Sequence, residues 1–239
     1  MRFPVDQARG DPVNRIDPWG LIDCSLQDLG GGNFRLNCSE SSGGSPGNGP
    51  LYYPPVGDAP RLNNIMAYEN SAKRKNRRMR ERIAQELVTL WDAERSTEDF
   101  LKAASKDCLA LFGSIDPVNA LTSEATAGHI IVTTNTAGSG ADVPAYTAGK
   151  SIYVIDSRSF FSGTVWTPGG IKFVGQAASW ANGLSLGQFQ ELTLIHELLH
   201  ATGLVGNDTN PDQRITLPNG QTVTGSAGVS KAIQQDCFD

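Results

Sequence analysis

The sequence predicts an α+β fold: a small twisted sheet of about three to five strands, backed by helices and closed on one side by an apolar helix. Three observations carry this expectation. Helical periodicity runs from Asn63 to about Phe112, strand-like runs rich in β-branched residues begin at His129, and helical spacing returns in an apolar stretch ending at Gly203. The chain divides into residues 1–60, dominated by turn and linker chemistry, and residues 61–239, which carry the periodic segments.

The composition bounds the function classes. With 239 residues, 39% hydrophobic and 19% charged, and with 26 Gly and 13 Pro, this is a globular chain with long loops rather than a fibrous or disordered one. A net charge of −5 argues against nucleic acid as the main partner. No window approaches the roughly 18 consecutive apolar residues of a membrane span, so no membrane partner is expected. The stretch Met1–Asp6 lacks the apolar region of a signal peptide, and export would need another route.

Taken in order, Cys24 and Cys38 flank Gly30-Gly31-Gly32-Asn33, a turn signal that suits a stapled hairpin. The four cysteines, Cys24, Cys38, Cys108 and Cys237, allow three disulfide connectivities. If the first two pair, Cys108 and Cys237 form the other bridge and tie the end of the chain to a helix; the competing reading is four free thiols. The run Ser41–Pro50 is Gly, Ser, Pro and Asn-rich and reads as a flexible linker with a domain boundary near it.

Beyond it, Ile83, Leu87, Leu90 and Trp91 form one helical stripe and Phe100, Leu101, Ala104, Leu109 and Leu111 a second. Ser96-Thr97-Glu98-Asp99 resembles an N-terminal cap, so two helices broken near Ser96 are expected. The first of them carries seven basic residues in the ten from Lys73 to Arg82, read as a solvated face because no aromatic residues interleave for base stacking. Strands are expected at His129–Thr134, Ser151–Asp156 and Gly170–Val174, while Gly138–Lys150 is either a lid or a plain connection.

The last helix carries the chemistry. Ser185 and Gln188 have the spacing of a capping box, Gly203 suits the left-handed residue that ends a helix, and between them lies His196-Glu197-Leu198-Leu199-His200. Residues four apart stack on one helix face, so His196 and His200 present two imidazoles to one point with Glu197 beside them. Two neutral imidazoles can hold one Zn²⁺, and the carboxylate can act on a water beside it. Leu194, Ile195, Leu198 and Leu199 are expected to pack on the sheet, leaving the His face toward a cleft at the sheet edge. No Glu or His follows His200, so a downstream third ligand must be an Asp or a Cys; Asp208 is favoured over Asp212 because Gly203–Asp208 reads as a tight return. His129, Tyr146 and Tyr153 are candidate oxyanion-stabilising groups.

These residues resemble the zincin metallopeptidases, and their metzincin branch most closely, whose pattern is His-Glu-x-x-His-x-x-Gly-x-x-His/Asp. His196, Glu197, His200 and Gly203 match it position by position. Gly206 stands where that branch places its third ligand, and no Met follows Met79 to form the methionine turn. The resemblance implies a zincin-like fold, a zinc centre of His196, His200 and Asp208, Glu197 as general base, and a protein or peptide substrate. A second stretch, Asp11-Pro12-Val13-Asn14-Arg15-Ile16-Asp17-Pro18-Trp19-Gly20-Leu21, resembles the closing motif of RHS/YD-repeat core domains. That resemblance implies a cut after Leu21, an RHS shell upstream and a secreted or delivered toxin module of bacterial type with an immunity protein as partner. The alternatives are a non-catalytic binding or adhesion module of an RHS protein and a nuclease using the basic run.

Overall fold

The computed structural model describes residues 15–16, 22–30, 33–40, 65–67, 73–133, 143–155, 158–167, 170–177, 181 and 183–239, with side-chain surroundings only from residue 82 onward. Its elements run β1 (Arg15–Ile16), β2 (Ile22–Gly30), β3 (Asn33–Glu40), β4 (Ile65–Ala67), α1 (Lys73–Lys102), α2 (Lys106–Ala110), α3 (Pro117–Thr126), β5 (Ile130–Thr133), β6 (Ala145–Ala148) and β7 (Ser151–Ile155). They continue with α4 (Ser159–Ser162), β8 (Thr164–Thr167), β9 (Gly170–Phe173), α5 (Val174–Ala177), α6 (Leu186–Ala201), β10 (Arg214–Thr216), β11 (Thr222–Thr224) and α7 (Gly225–Cys237). The fold is mixed α+β. The linker read at Ser41–Pro50, most of the RHS-like stretch, and residues 134–142 of the loop before β6 lie outside the described residues.

The main sheet has seven strands in the order β1-β2-β3-β4-β5-β7-β6, more than the three to five expected. The excess comes from the N-terminal hairpin: β2 and β3 pair antiparallel with Cys24 opposite Cys38, and β3 continues onto β4, which runs parallel to β5. β5 and β7 fall at two of the expected strands, His129–Thr134 and Ser151–Asp156, and pair parallel, with Ile130 opposite Ile152 and Val132 opposite Val154. β6 lies at the end of the sheet, antiparallel to β7. The run beginning at Gly170 is a strand, but it pairs with β8 in a separate hairpin rather than joining the main sheet, with Trp166 opposite Ile171.

The expected break near Ser96 is absent, because α1 continues unbroken from Lys73 to Lys102. Both hydroxyls that suggested a cap are engaged otherwise. Thr97 Oγ1 donates back to the Ala93 carbonyl at 2.7 Å, one turn earlier, and Ser96 Oγ donates to the buried Glu191 Oε1 of α6. The true break comes at Ser105, whose hydroxyl accepts from the Cys108 N–H and starts α2.

The core lies between α1, the β5–β7 face and α6: Leu87, Leu90 and Trp91 meet Ile130, Val132, Ile152 and Val154, together with Leu194, Ile195 and Leu198. α6 has no solvent face in its middle. Every residue from Phe189 to Leu199 is buried, so the expected division into an apolar flank and an open His face does not hold. The polar side chains of this helix therefore have to find partners inside the protein. α7 packs on α6 through Val229, Ala232 and Ile233, and Cys108 of α2 is disulfide-bonded to Cys237 at its end. Phe238 stacks on Phe100 at 4.8 Å between ring centroids.

The Ser96–Glu191 contact predicts that Ser96→Ala lowers unfolding free energy by about 1 kcal/mol, since the Glu191 carboxylate loses its donor in a site with little water. Urea denaturation checks this, and a change indistinguishable from zero would mean the contact contributes nothing.

Candidate metal centre

α6 starts and stops as its sequence requires. The Ser185 hydroxyl accepts from the Gln188 N–H at 3.3 Å while Gln188 Oε1 accepts from the Ser185 N–H at 3.0 Å, a reciprocal cap. At the other end Gly203 has φ +75°, its N–H bonds the His200 carbonyl, and the Leu204 N–H bonds the Leu199 carbonyl. This Schellman closure turns the chain back at once, which is what allows residues a few positions later to reach the helix.

The returning loop brings Asp208 onto the two histidines. His196 Nε2 lies 3.1 Å from His200 Nε2 and 3.1 Å from Asp208 Oδ2, and His200 Nε2 lies 3.3 Å from the same oxygen. His196, Asp208 and Glu197 are buried and His200 half-buried. Asp212, the alternative third ligand, is exposed and outside the converging group. A tetrahedral centre with bonds of about 2.0–2.1 Å spaces its ligand atoms about 3.3–3.4 Å apart, so two imidazole nitrogens and a carboxylate oxygen at these separations fit one such ion.

Each ring is turned by a second partner. His200 Nδ1 donates to the Val205 carbonyl at 3.2 Å, which leaves the Nε2 lone pair of the neutral ring facing the cluster. His196 Nδ1 meets Ser230 Oγ of α7 at 3.0 Å in a buried contact, and a proton on Nδ1 there likewise leaves Nε2 as an acceptor. Asp208 is fixed through its backbone, because its carbonyl accepts from the Ser226 N–H at 3.0 Å. The adjoining Gly225 has φ +58°, and a Cβ there would come within 2.8 Å of Pro211 Cα, so only glycine lets α7 lie this close to the loop.

Burial alone would raise the Asp208 pKa, but its hydrogen bonds with His196 and His200 and their charges outweigh it and hold the carboxyl well below the usual range. Burial likewise opposes charge on His200, yet the Asp208 hydrogen bond and the charges of Glu197 and Asp208 outweigh it and raise its pKa above 6.5. The pair thus favours positive charge at the point where the donors converge.

Glu197 faces the end strand of the sheet. Thr147 Oγ1 of β6 lies 2.8 Å from Glu197 Oε2 and 3.0 Å from the Glu197 carbonyl, one hydroxyl proton serving either acceptor. The oxyanion candidates lie elsewhere. Tyr146 and Tyr153 stack on each other at 5.0 Å, and Tyr146, next to Thr147 on the strand, points to the opposite face of the sheet. His129 Nδ1 pairs with Glu124 Oε2.

Ser230 and Thr147 were not legible in the sequence, being 34 and 50 residues from their partners with no motif around them. The Val205 carbonyl follows from the turn after Gly203. A groove of about 430 Å³ lined by Phe173, Val174, Leu184 and Leu186 lies at the other end of α6, roughly 15 Å along the helix from His196, and has no titratable lining residue. No family model, curated protein or solved structure matches the chain.

Two outcomes follow for the purified chain. If the cluster holds zinc, His196→Ala should abolish binding, Asp208→Ala weaken it and Asp212→Ala leave it unchanged in a titration against a chromophoric chelator; retention of zinc by His196→Ala would remove the site. Gly225→Ala lowers unfolding free energy by about 1–3 kcal/mol in denaturant melts through its backbone strain, with a further loss of zinc affinity as Pro211 and Asp208 are pushed away.

Proposed function

We propose that the chain is a zinc-dependent metallopeptidase in which His196, His200 and Asp208 hold the metal and Glu197 is the general base. The observation that carries this reading is the convergence of two imidazole nitrogens and a carboxylate oxygen within 3.1–3.3 Å, with the Glu197 carboxylate one residue from His196. Two histidines and one carboxylate also suit iron in oxygen chemistry. Glu197 favours hydrolysis, because a base beside the metal has work to do on water and none in binding dioxygen.

When bound, zinc supplies Lewis acidity toward a water and toward the carbonyl of the scissile peptide. The protein supplies the rest. His196 and His200 would hold the ion as neutral ligands and Asp208 would add one negative charge, so a divalent ion with these three ligands would keep a net charge of about +1 toward a carbonyl oxygen. Ser230 and the Val205 carbonyl hold the rings in the tautomer that presents Nε2. Thr147 anchors Glu197 Oε2, which leaves Oε1 to take a proton from the attacking water and return it to the leaving amine.

The burial of α6 supports a second reading, a structural metal site in a non-catalytic binding module, since Glu197 is only 7% exposed. The RHS-like stretch Asp11–Leu21 supports delivery as a toxin module with a shell and an immunity protein as partners, and either reading of the metal is compatible with it.

One variant separates them. Glu197→Gln should keep zinc binding and lose cleavage of a denatured protein or peptide library by about 10²–10⁴-fold, the usual contribution of a positioned base. Zinc binding by wild type with equal, negligible cleavage by both proteins would favour the structural reading.

A further inference from the structure

We infer that the Cys108–Cys237 disulfide is a redox control on the metal centre, transmitted through α7; this rests on the metal-site reading and specifies its regulation. α7 is joined to the site at one end and to the bond at the other. Ser230 meets His196 Nδ1, and the Ser226 N–H holds the Asp208 carbonyl, so two of the three ligands are positioned from the first half of this helix. Cys237 closes the second half onto Cys108. Ser230 and Cys237 are seven residues apart, which places them on one helix face about 10 Å from each other.

α7 depends on these ties. Its sequence opens Gly225-Ser226-Ala227-Gly228, two of the poorest helix formers in four positions, and its N-cap residue Thr224 makes no side-chain cap bond. A 13-residue helix of this composition has little stability of its own, so its position is set by what it packs on and is bonded to. The disulfide spans 129 residues of sequence; without it, the Ser105 Oγ bond to the Asp236 carbonyl and the Phe100–Phe238 stack hold the end of the helix.

The chemistry balances with a small-molecule thiol as reductant. Cys108 is fully buried and Cys237 half-buried, so exchange begins at the Cys237 sulfur. The thiolate attacks that sulfur, the protein S–S bond breaks, and Cys108 leaves as a thiolate and takes a proton. A second thiol resolves the mixed disulfide, so that two small thiols become one small disulfide and their two electrons and two protons end on Cys108 and Cys237. With the bond open, α7 stays packed through Val229, Ala232 and Ile233 but its end is held less tightly, so the Ser230 and Ser226 contacts that fix the His196 ring and the Asp208 loop loosen; loss of such outer contacts costs about 10–100-fold in metal affinity.

The test is zinc affinity of the full chain by chelator competition, comparing disulfide-bonded wild type with Cys108→Ser/Cys237→Ser, which opens the bond without creating thiols that bind zinc. The open variant should bind about 10–100-fold more weakly, Ser230→Ala should weaken the closed protein by a similar factor, and adding Ser230→Ala to the open variant should change little. Equal affinity of the open and closed forms, or full additivity of the two changes, would overturn the inference. Absence of zinc binding by closed wild type overturns the metal reading itself, a different result. Should the double variant not fold, hydrogen exchange of the reduced wild type takes its place: amides of 226–237 lose protection before those of α6, and simultaneous loss in both overturns the inference.

Discussion

Two imidazole lone pairs and a carboxylate aimed at one point within about 3 Å repel each other unless something positive sits among them. In this molecule that arrangement is built inside the protein, where solvent does little to soften the repulsion. Against the opposing effect of burial, the Asp208 hydrogen bond and the neighbouring carboxylate charges push the His200 pKa up, and the two imidazoles push that of Asp208 down, so both shifts favour positive charge at the point of convergence. The rest of the structure can be read as the means of keeping three groups where they would not stay by themselves.

Those means are hydrogen bonds from four directions. α6 contributes the two histidines, and its Schellman closure presents the Val205 carbonyl that orients His200. β6 contributes Thr147 to Glu197, and α7 contributes Ser230 and the Ser226 N–H. α1 contributes Ser96 to Glu191, one and a half turns before His196 on the same helix. Burial of the middle of α6 removes water as an alternative partner there, so the contacts to Glu191, His196 and Glu197 satisfy polar groups that have no other recourse. Rigidity follows from the same cause, since a buried ring with both nitrogens engaged has one orientation left.

What the sequence made legible was whatever is local. The capping box, the glycine closure, the histidine pair four residues apart and the convergence of Asp208 after a tight return all depend on interactions within about a dozen residues, and β5 and β7 announce themselves by their own runs of β-branched residues. What it concealed depends on distant partners. Ser96-Thr97 has the composition of a cap, but Glu191 lies 95 residues away, and its need for a donor decides what Ser96 does. The sheet exceeds the three to five strands expected because the N-terminal hairpin joins it through β4, a three-residue strand with no periodicity to announce it. α6 was read as amphipathic, although its apolar run is interrupted only by residues whose polarity is satisfied internally.

α7 shows why such concealment is systematic. By local rules Gly225–Ser230 is a poor helix, and propensity summed over its first two turns argues against one. Yet glycine is required at 225 by the approach of Pro211 and small residues follow where the helix lies against the loop, so the features that weaken the helix locally are the ones that let it reach Asp208 and His196. A segment chosen for close approach cannot also be chosen for intrinsic stability. It has to borrow that stability from its contacts, so the disulfide at its far end, the one covalent tie described for it, and the Ser230–His196 contact at its near end bear on the same helix.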